Sequence, residues 1–118
     1  MKTSIIQDKS KRFAIRIIKL YKYLCEEKKE FVMSKQVLRS GTGAGANCRE
    51  AKRAQSVADF VSKMNIALKE ADETSYWLEL LHDTEYIDDK SFNSIYAENE
   101  EIIKLLVSII NSTKANNS

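Results

Sequence analysis

"LRSGTGAGANCREA", residues 38–51, holds Gly41, Gly43 and Gly45, the only glycines of a 118-residue chain that has no proline. Their spacing fits the loose pattern G-x-G-x-x-G/A, with Ala46 in the last place. Two readings compete here, and they lead to different folds. A dinucleotide-binding loop needs a strand before it and a βαβ unit around it. A small-residue seam on a helix needs only a neighbouring helix that comes close. The preceding "FVMSKQVL" carries no strand signal, and no segment of the chain alternates with period two. The phosphate-loop pattern G-x-x-x-x-G-K-[ST] is absent as well. Val37, Gly41, Ala44, Cys48 and Ala51 step by four, three, four and three, so the glycines lie in phase with a helical stripe. A helical glycine costs about 0.5–1 kcal/mol against alanine, so three cost about 2–3 kcal/mol and a close contact must offset that. We therefore expect Gly41, Gly43 and Gly45 to serve packing against a neighbouring helix or subunit.

The segments on either side keep the same period. Phe60, Met64, Ala67, Ala71, Thr74, Leu78 and Leu81 alternate steps of four and three, which predicts a helix over 57–84. Ser56 suits its N-cap, with Asp59 in the first turn. Phe92, Ile95, Asn99, Ile102, Leu106 and Ile109 predict a helix over 88–114, with Asp88 and Asp89 at its start. Asn99 falls in the apolar row, where a polar residue fixes register, marks a contact or sits at a solvated edge; we expect the edge. Phe13, Ile17, Leu20 and Leu24, widened by Ile18, Tyr21 and Cys25, predict a helix over 7–28. "EEKKE" then marks a turn, and the glycine segment sits in a helix over 32–53. The polar tail "NSTKANNS" is expected to fray. Short connections make consecutive helices antiparallel, so the expected fold is all-α: one domain, 1–118, folded as an up-down-up-down four-helix bundle.

The net charge of +2 conceals an asymmetry. Residues 1–63 carry 15 Lys/Arg against 6 Asp/Glu, and residues 64–118 carry 4 against 11. Charges of opposite sign on neighbouring helices match within the chain or between subunits, or leave a basic face for an acidic partner. No apolar run approaches the roughly 20 residues of a membrane helix, and no secretory signal is visible, so we expect a cytoplasmic protein without a membrane partner. Cys25 and Cys48 are too few and too far apart for a metal site and are expected to be free, buried thiols. His82 is the only histidine. Near the end of the third helix it suits the helix dipole better than general-base catalysis. No catalytic, cofactor-binding or metal-binding set emerges, and we expect no enzyme.

The glycine stretch and the later "DFVSKMNIALKEADETSYWLELL" together carry a resemblance. They resemble a four-helix bundle family that includes proteins encoded in intervening sequences of bacterial 23S rRNA genes. The accessory variability proteins of diversity-generating retroelements are similar. Arg39, Ser40, Gly41, Thr42, Gly45, Ala46, Asn47, Glu50 and Ala51 match the first part of the family pattern. Lys63, Ile66, Ala67, Leu68, Lys69, Glu70, Ala71, Glu73, Thr74, Tyr76, Trp77 and Leu78 match the second. Gly43 stands where that pattern has serine. The resemblance implies a homopentameric ring. For the retroelement relatives it implies a positively charged surface that binds nucleic acid and a reverse transcriptase.

Three groups of candidate residues follow. For RNA or DNA, phosphate binding needs only clustered cations. Lys11, Arg12, Arg16, Lys19 and Lys22 on the first helix supply them, extended by Lys35, Arg39, Lys52 and Arg53 on the second. For helix packing or assembly, the candidates are the three glycines, Asn47, Arg49 and Glu50. An ion-pair network is expected between Glu70 or Glu73 and Arg39, Arg49 or Arg53. Trp77 is either an anchor between subunits or a packing residue within the chain. The leading expectation is a non-enzymatic, self-assembling bundle acting as an interaction scaffold on nucleic acid. The alternative is a structural oligomer or protein adaptor without nucleic acid.

Overall fold

The computed structural model describes residues 2–117 and consists of four helices. They are α1 (Lys2–Glu26), α2 (Met33–Ala51), α3 (Val57–Asp83) and α4 (Asp89–Asn116). No strand occurs among the described residues. Helix α1 neighbours α2 and α4, and α3 neighbours α2 and α4, while the diagonal pairs stay apart. This is an antiparallel four-helix bundle, with extents of 48 × 22 × 19 Å. The α2–α3 seam is the most extensive and the α1–α4 seam the least.

The apolar stripes become the core. Phe13, Ile17 and Leu24 of α1 meet Val37, Ala44 and Cys48 of α2, Met64, Ala67, Ala71, Leu78 and Leu81 of α3, and Ile95, Ile102, Leu106 and Ile109 of α4. Helix α1 begins at Lys2 rather than near residue 7, because Ile6 continues its stripe and is fully buried. Ile18 does not widen that stripe: it is exposed. Helix α4 runs on through most of the polar tail instead of fraying from residue 111. The Thr113 hydroxyl and the Asn117 amide donate to carbonyls four residues back, Ile109 and Thr113, at 2.8 and 2.9 Å. Ser118 lies outside the described residues.

The helix ends have identifiable causes. The Ser56 hydroxyl accepts from the Asp59 N–H at 3.0 Å, and the Asp59 carboxylate accepts from the Gln55 N–H at 3.1 Å. The Asp88 carboxylate accepts from the Ser91 N–H at 2.7 Å, which holds its carboxyl below the usual range. Helix α2 is capped from further back. The buried Glu30 carboxylate accepts from the N–H groups of Val32, Met33 and Ser34 at 3.2, 3.0 and 2.7 Å. That anion also complements the positive end of the helix dipole. Helices α1 and α3 end through Lys29 and Glu85, whose φ values of 54° and 67° are left-handed.

Glycine answers to proximity at two kinds of contact. A Cβ on Gly41 would lie 2.7 Å from Ile17 Cγ1, and one on Gly45 would lie 3.3 Å from the Ser10 carbonyl oxygen, so both serve the approach of α1. A Cβ on Gly43 would instead meet the Glu70 carboxylate of α3 at 3.0 Å. The glycine face thus meets two helices of its own chain.

Asn99 is not at a solvated edge. It is 1% exposed and donates from Nδ2 to the Ala71 carbonyl at 2.9 Å and to the Ser75 hydroxyl at 2.8 Å. Its Oδ1 is a buried acceptor without a hydrogen bond. The α3–α4 seam is broad enough to cover it, so it acts as the register-fixing polar residue of an apolar row. Of the thiols, Cys48 is buried, and desolvation raises its pKa to about 11. Cys25 is only half-buried, against expectation, because it lies at the edge of the α1–α2 seam, 3.7 Å from the Ser34 hydroxyl.

Candidate nucleic-acid interface

The charge asymmetry of the sequence becomes a division of the bundle into two sides. Helices α1 and α2 carry 10 Lys/Arg against 3 Asp/Glu, and α3 and α4 carry 5 against 10. Because α1 and α2 are neighbours, the basic half is one continuous side. The candidate cations on it have two fates. Arg12 pairs with Asp8 at 3.0 Å, and Arg16 reaches across to α4, to Glu98 at 2.5 Å and to the Ser94 hydroxyl at 3.2 Å. Arg39 turns to α3 and pairs with Glu70 and Glu73. Lys11, Lys19, Lys22, Lys35, Lys52 and Arg53 are exposed and form no ion pair among the described residues. Arg49 joins this second set, although the sequence suggested a packing role for it.

Between α1 and α2 two of these cations border an open cleft of about 230 Å³. Lys11 and Arg49 stand on its walls, and Ala14, Gly45 and Ala46 supply its small side chains. Three polar side chains there donate to backbone carbonyls. Gln7 donates to the Cys48 carbonyl at 2.5 Å, Ser10 to the Gln7 carbonyl at 3.3 Å, and Thr42 to the Leu38 carbonyl at 2.7 Å. The charged groups lining the cleft are the two cations. Position 49 lies four residues beyond Gly45, which places both on one face of α2; that spacing is the signal that could have found it.

The expected network between α2 and α3 exists in reduced form. Arg39 alone provides its cation, with Glu70 Oε2 at 3.4 Å and Glu73 closer. The Trp77 indole N–H donates to Glu73 Oε2 at 2.9 Å. Arg49 and Arg53 take no part: the antiparallel pairing that sets Arg39 against Glu70 and Glu73 brings position 50 level with Lys63, and Arg53 lies beyond the end of α2. Glu50 instead pairs with Lys63 at 3.5 Å, and Asn47 donates to the Gly43 carbonyl at 2.9 Å within its own helix. Trp77 is half-buried against the core, with its ring 5.4 Å from that of Tyr76, which is 56% exposed.

His82 stands where the sequence put it, beside the C-terminus of α3, yet its main partner is on α4. Its Nε2 lies 2.6 Å from Asp89 Oδ1 and its Nδ1 3.2 Å from Asp83 Oδ1. Its ring stacks on Phe92 at 4.2 Å. The hydrogen bond to Asp89 raises its pKa above the usual 6.5. Among the described residues, no group of three or more His, Cys, Asp or Glu is placed to hold a metal ion, and no helix is long and apolar enough to cross a membrane.

Comparison with known proteins adds an independent line. The family model described as "23S rRNA-intervening sequence protein" matches residues 2–108. A solved structure from Bacteroides thetaiotaomicron VPI-5482, described as a protein with unknown function from the S23 ribosomal protein family, is 62% identical. The match covers 94% of this chain and 99% of that one, with a TM-score of 0.93. None of the curated proteins matches the chain.

Proposed function

The chain belongs to the 23S rRNA-intervening sequence protein family, and on that footing we propose that it is a non-enzymatic, self-assembling bundle that binds nucleic acid through its α1–α2 side. One observation carries this reading. Seven exposed cations on α1, α2 and the residues just after α2 (Lys11, Lys19, Lys22, Lys35, Arg49, Lys52 and Arg53) have no carboxylate partner among the described residues. Arg16, Arg39 and Lys9 are paired with carboxylates. Lys69, Lys90, Lys104 and Lys114 on α3 and α4 have no ion pair among the described residues, but they stand among the 10 Asp/Glu of those two helices. Cations left over on one side suit a polyanion whose phosphates supply the missing charge. Such binding is largely indifferent to base sequence, because contacts to phosphates carry no sequence information.

The test is a salt titration of RNA and DNA binding. Log affinity should fall linearly with log salt, each engaged cation adding about 0.7–0.9 to the slope. Absence of binding even at low salt would refute the reading. The alternative, a structural oligomer that contacts only protein, is favoured by exposed apolar side chains such as Tyr76 and Ile66 on α3. Under that alternative the protein assembles and ignores nucleic acid.

A further inference from the structure

We infer that the cleft between α1 and α2 is a phosphate clasp, in which Lys11 from one wall and Arg49 from the other hold a single backbone phosphate of the bound strand. This rests on the nucleic-acid reading and makes it specific. The argument begins with Gly45. Its missing side chain leaves only 3.3 Å between an imagined Cβ and the Ser10 carbonyl oxygen, so α1 and α2 cross closely at this point. Lys11 follows Ser10 and Arg49 lies one turn beyond Gly45, so the close crossing sets two cations against one cleft. Two like charges facing a shared space repel each other, and a bundle normally places a carboxylate between them. None lines this cleft. The nearby open pocket at the α2–α3 turn differs: Arg49, which borders both spaces, shares it with Arg53, Lys63 and the carboxylates of Glu50 and Asp59, and Lys63 is paired with Glu50.

The cleft is also chemically one-sided. Ser10 and Thr42 donate their hydroxyls to backbone carbonyls, and the Gln7 amide donates one N–H to the Cys48 carbonyl. The charged groups that meet a ligand are an ammonium and a guanidinium, and the guanidinium can hold two phosphate oxygens at once. Ala14, Gly45 and Ala46 supply only small apolar groups, so they neither block nor compete with an anion.

The test uses the full chain and a labelled 20-nucleotide RNA, with a DNA strand of the same sequence as a second arm. Lys11→Ala and Arg49→Ala should each lower the salt slope by about one. The double variant should lose less than the sum of the two single losses, because both cations hold the same phosphate. Lys90→Ala, on α4, should leave the slope unchanged. Lys11→Arg should restore binding, whereas a fold defect would show in the melting curve of every variant. If the wild type binds but Lys11→Ala/Arg49→Ala retains its slope, the clasp is refuted and the wider basic side still stands. If the wild type binds neither strand, the underlying reading fails. If a carboxylate-rich peptide displaces the RNA in proportion to its charge alone, the site is a general anion patch and the clasp is again refuted.

Discussion

Three glycines within five residues differ sharply in what they tolerate. At Gly41 a methyl group would press on Ile17, which is fully buried and has no space to retreat. Gly41→Ala should therefore destabilise the protein by about 1–3 kcal/mol, since overpacking outweighs the gain in helix propensity. At Gly43 the obstacle is the end of the Glu70 side chain, which can swing aside. Gly43→Ala should be neutral or stabilising by up to about 1 kcal/mol. Urea melts of both variants check the order, and equal effects would contradict the geometry. A serine here, as in the family pattern, would place its hydroxyl beside the Glu70 carboxylate, which can accept a hydrogen bond from it. The sequence told that these glycines serve packing. It could not tell that Gly41 and Gly45 face α1 while Gly43 faces α3, because helical phase fixes relative faces and not which neighbour each face meets.

At the level of elements, the stripes, the caps at Ser56 and Asp88 and the four-helix order were legible because each depends on spacing within one segment. Long-range pairings were not. Arg39, Arg49 and Arg53 were equal candidates for Glu70 and Glu73, and the register of α2 along α3 separates them: it sets Arg39 against Glu70 and Glu73, position 50 against Lys63, and leaves Arg53 past the end of α2. Glu30 was invisible as a cap because it sits three residues before α2, outside the usual position, and reaches forward through a folded turn. Asn99 was misplaced because burial at a seam depends on the neighbouring helix. The α3–α4 junction carries its own consequence. His82 bonds Asp89 and Asp83, with Asp88, Glu85 and Lys28 bordering the same pocket. A histidine whose folded pKa is raised adds stability that is complete below its unfolded value near 6.5 and is lost as pH climbs through the folded value. The melting temperature should therefore decline as pH rises from below 6.5 through neutrality, and His82→Gln should flatten that decline. A slope unchanged in His82→Gln would assign the effect to other groups.

For the whole molecule, charge segregation is the feature that reaches beyond the chain. A basic α1–α2 side and an acidic α3–α4 side make the bundle complementary to its own copies in a head-to-tail sense. Such contacts close into a ring or extend as a filament, and the resemblance favours a pentameric ring. Light scattering at micromolar concentration should report a closed oligomer whose association weakens as salt rises; a monomer at low salt would contradict self-assembly. Nucleic acid would then compete with the neighbouring subunit for part of the basic side. A last consequence concerns how such a sequence can drift. All of its glycines lie inside a helix, while the left-handed turn positions are filled by Lys29 and Glu85, where glycine would sit without strain. The chain thus ranks the closeness of its helices above the ease of its turns. Substitutions have room to improve the two turns, whereas the α1-facing glycines are held by a neighbour that leaves them no alternative.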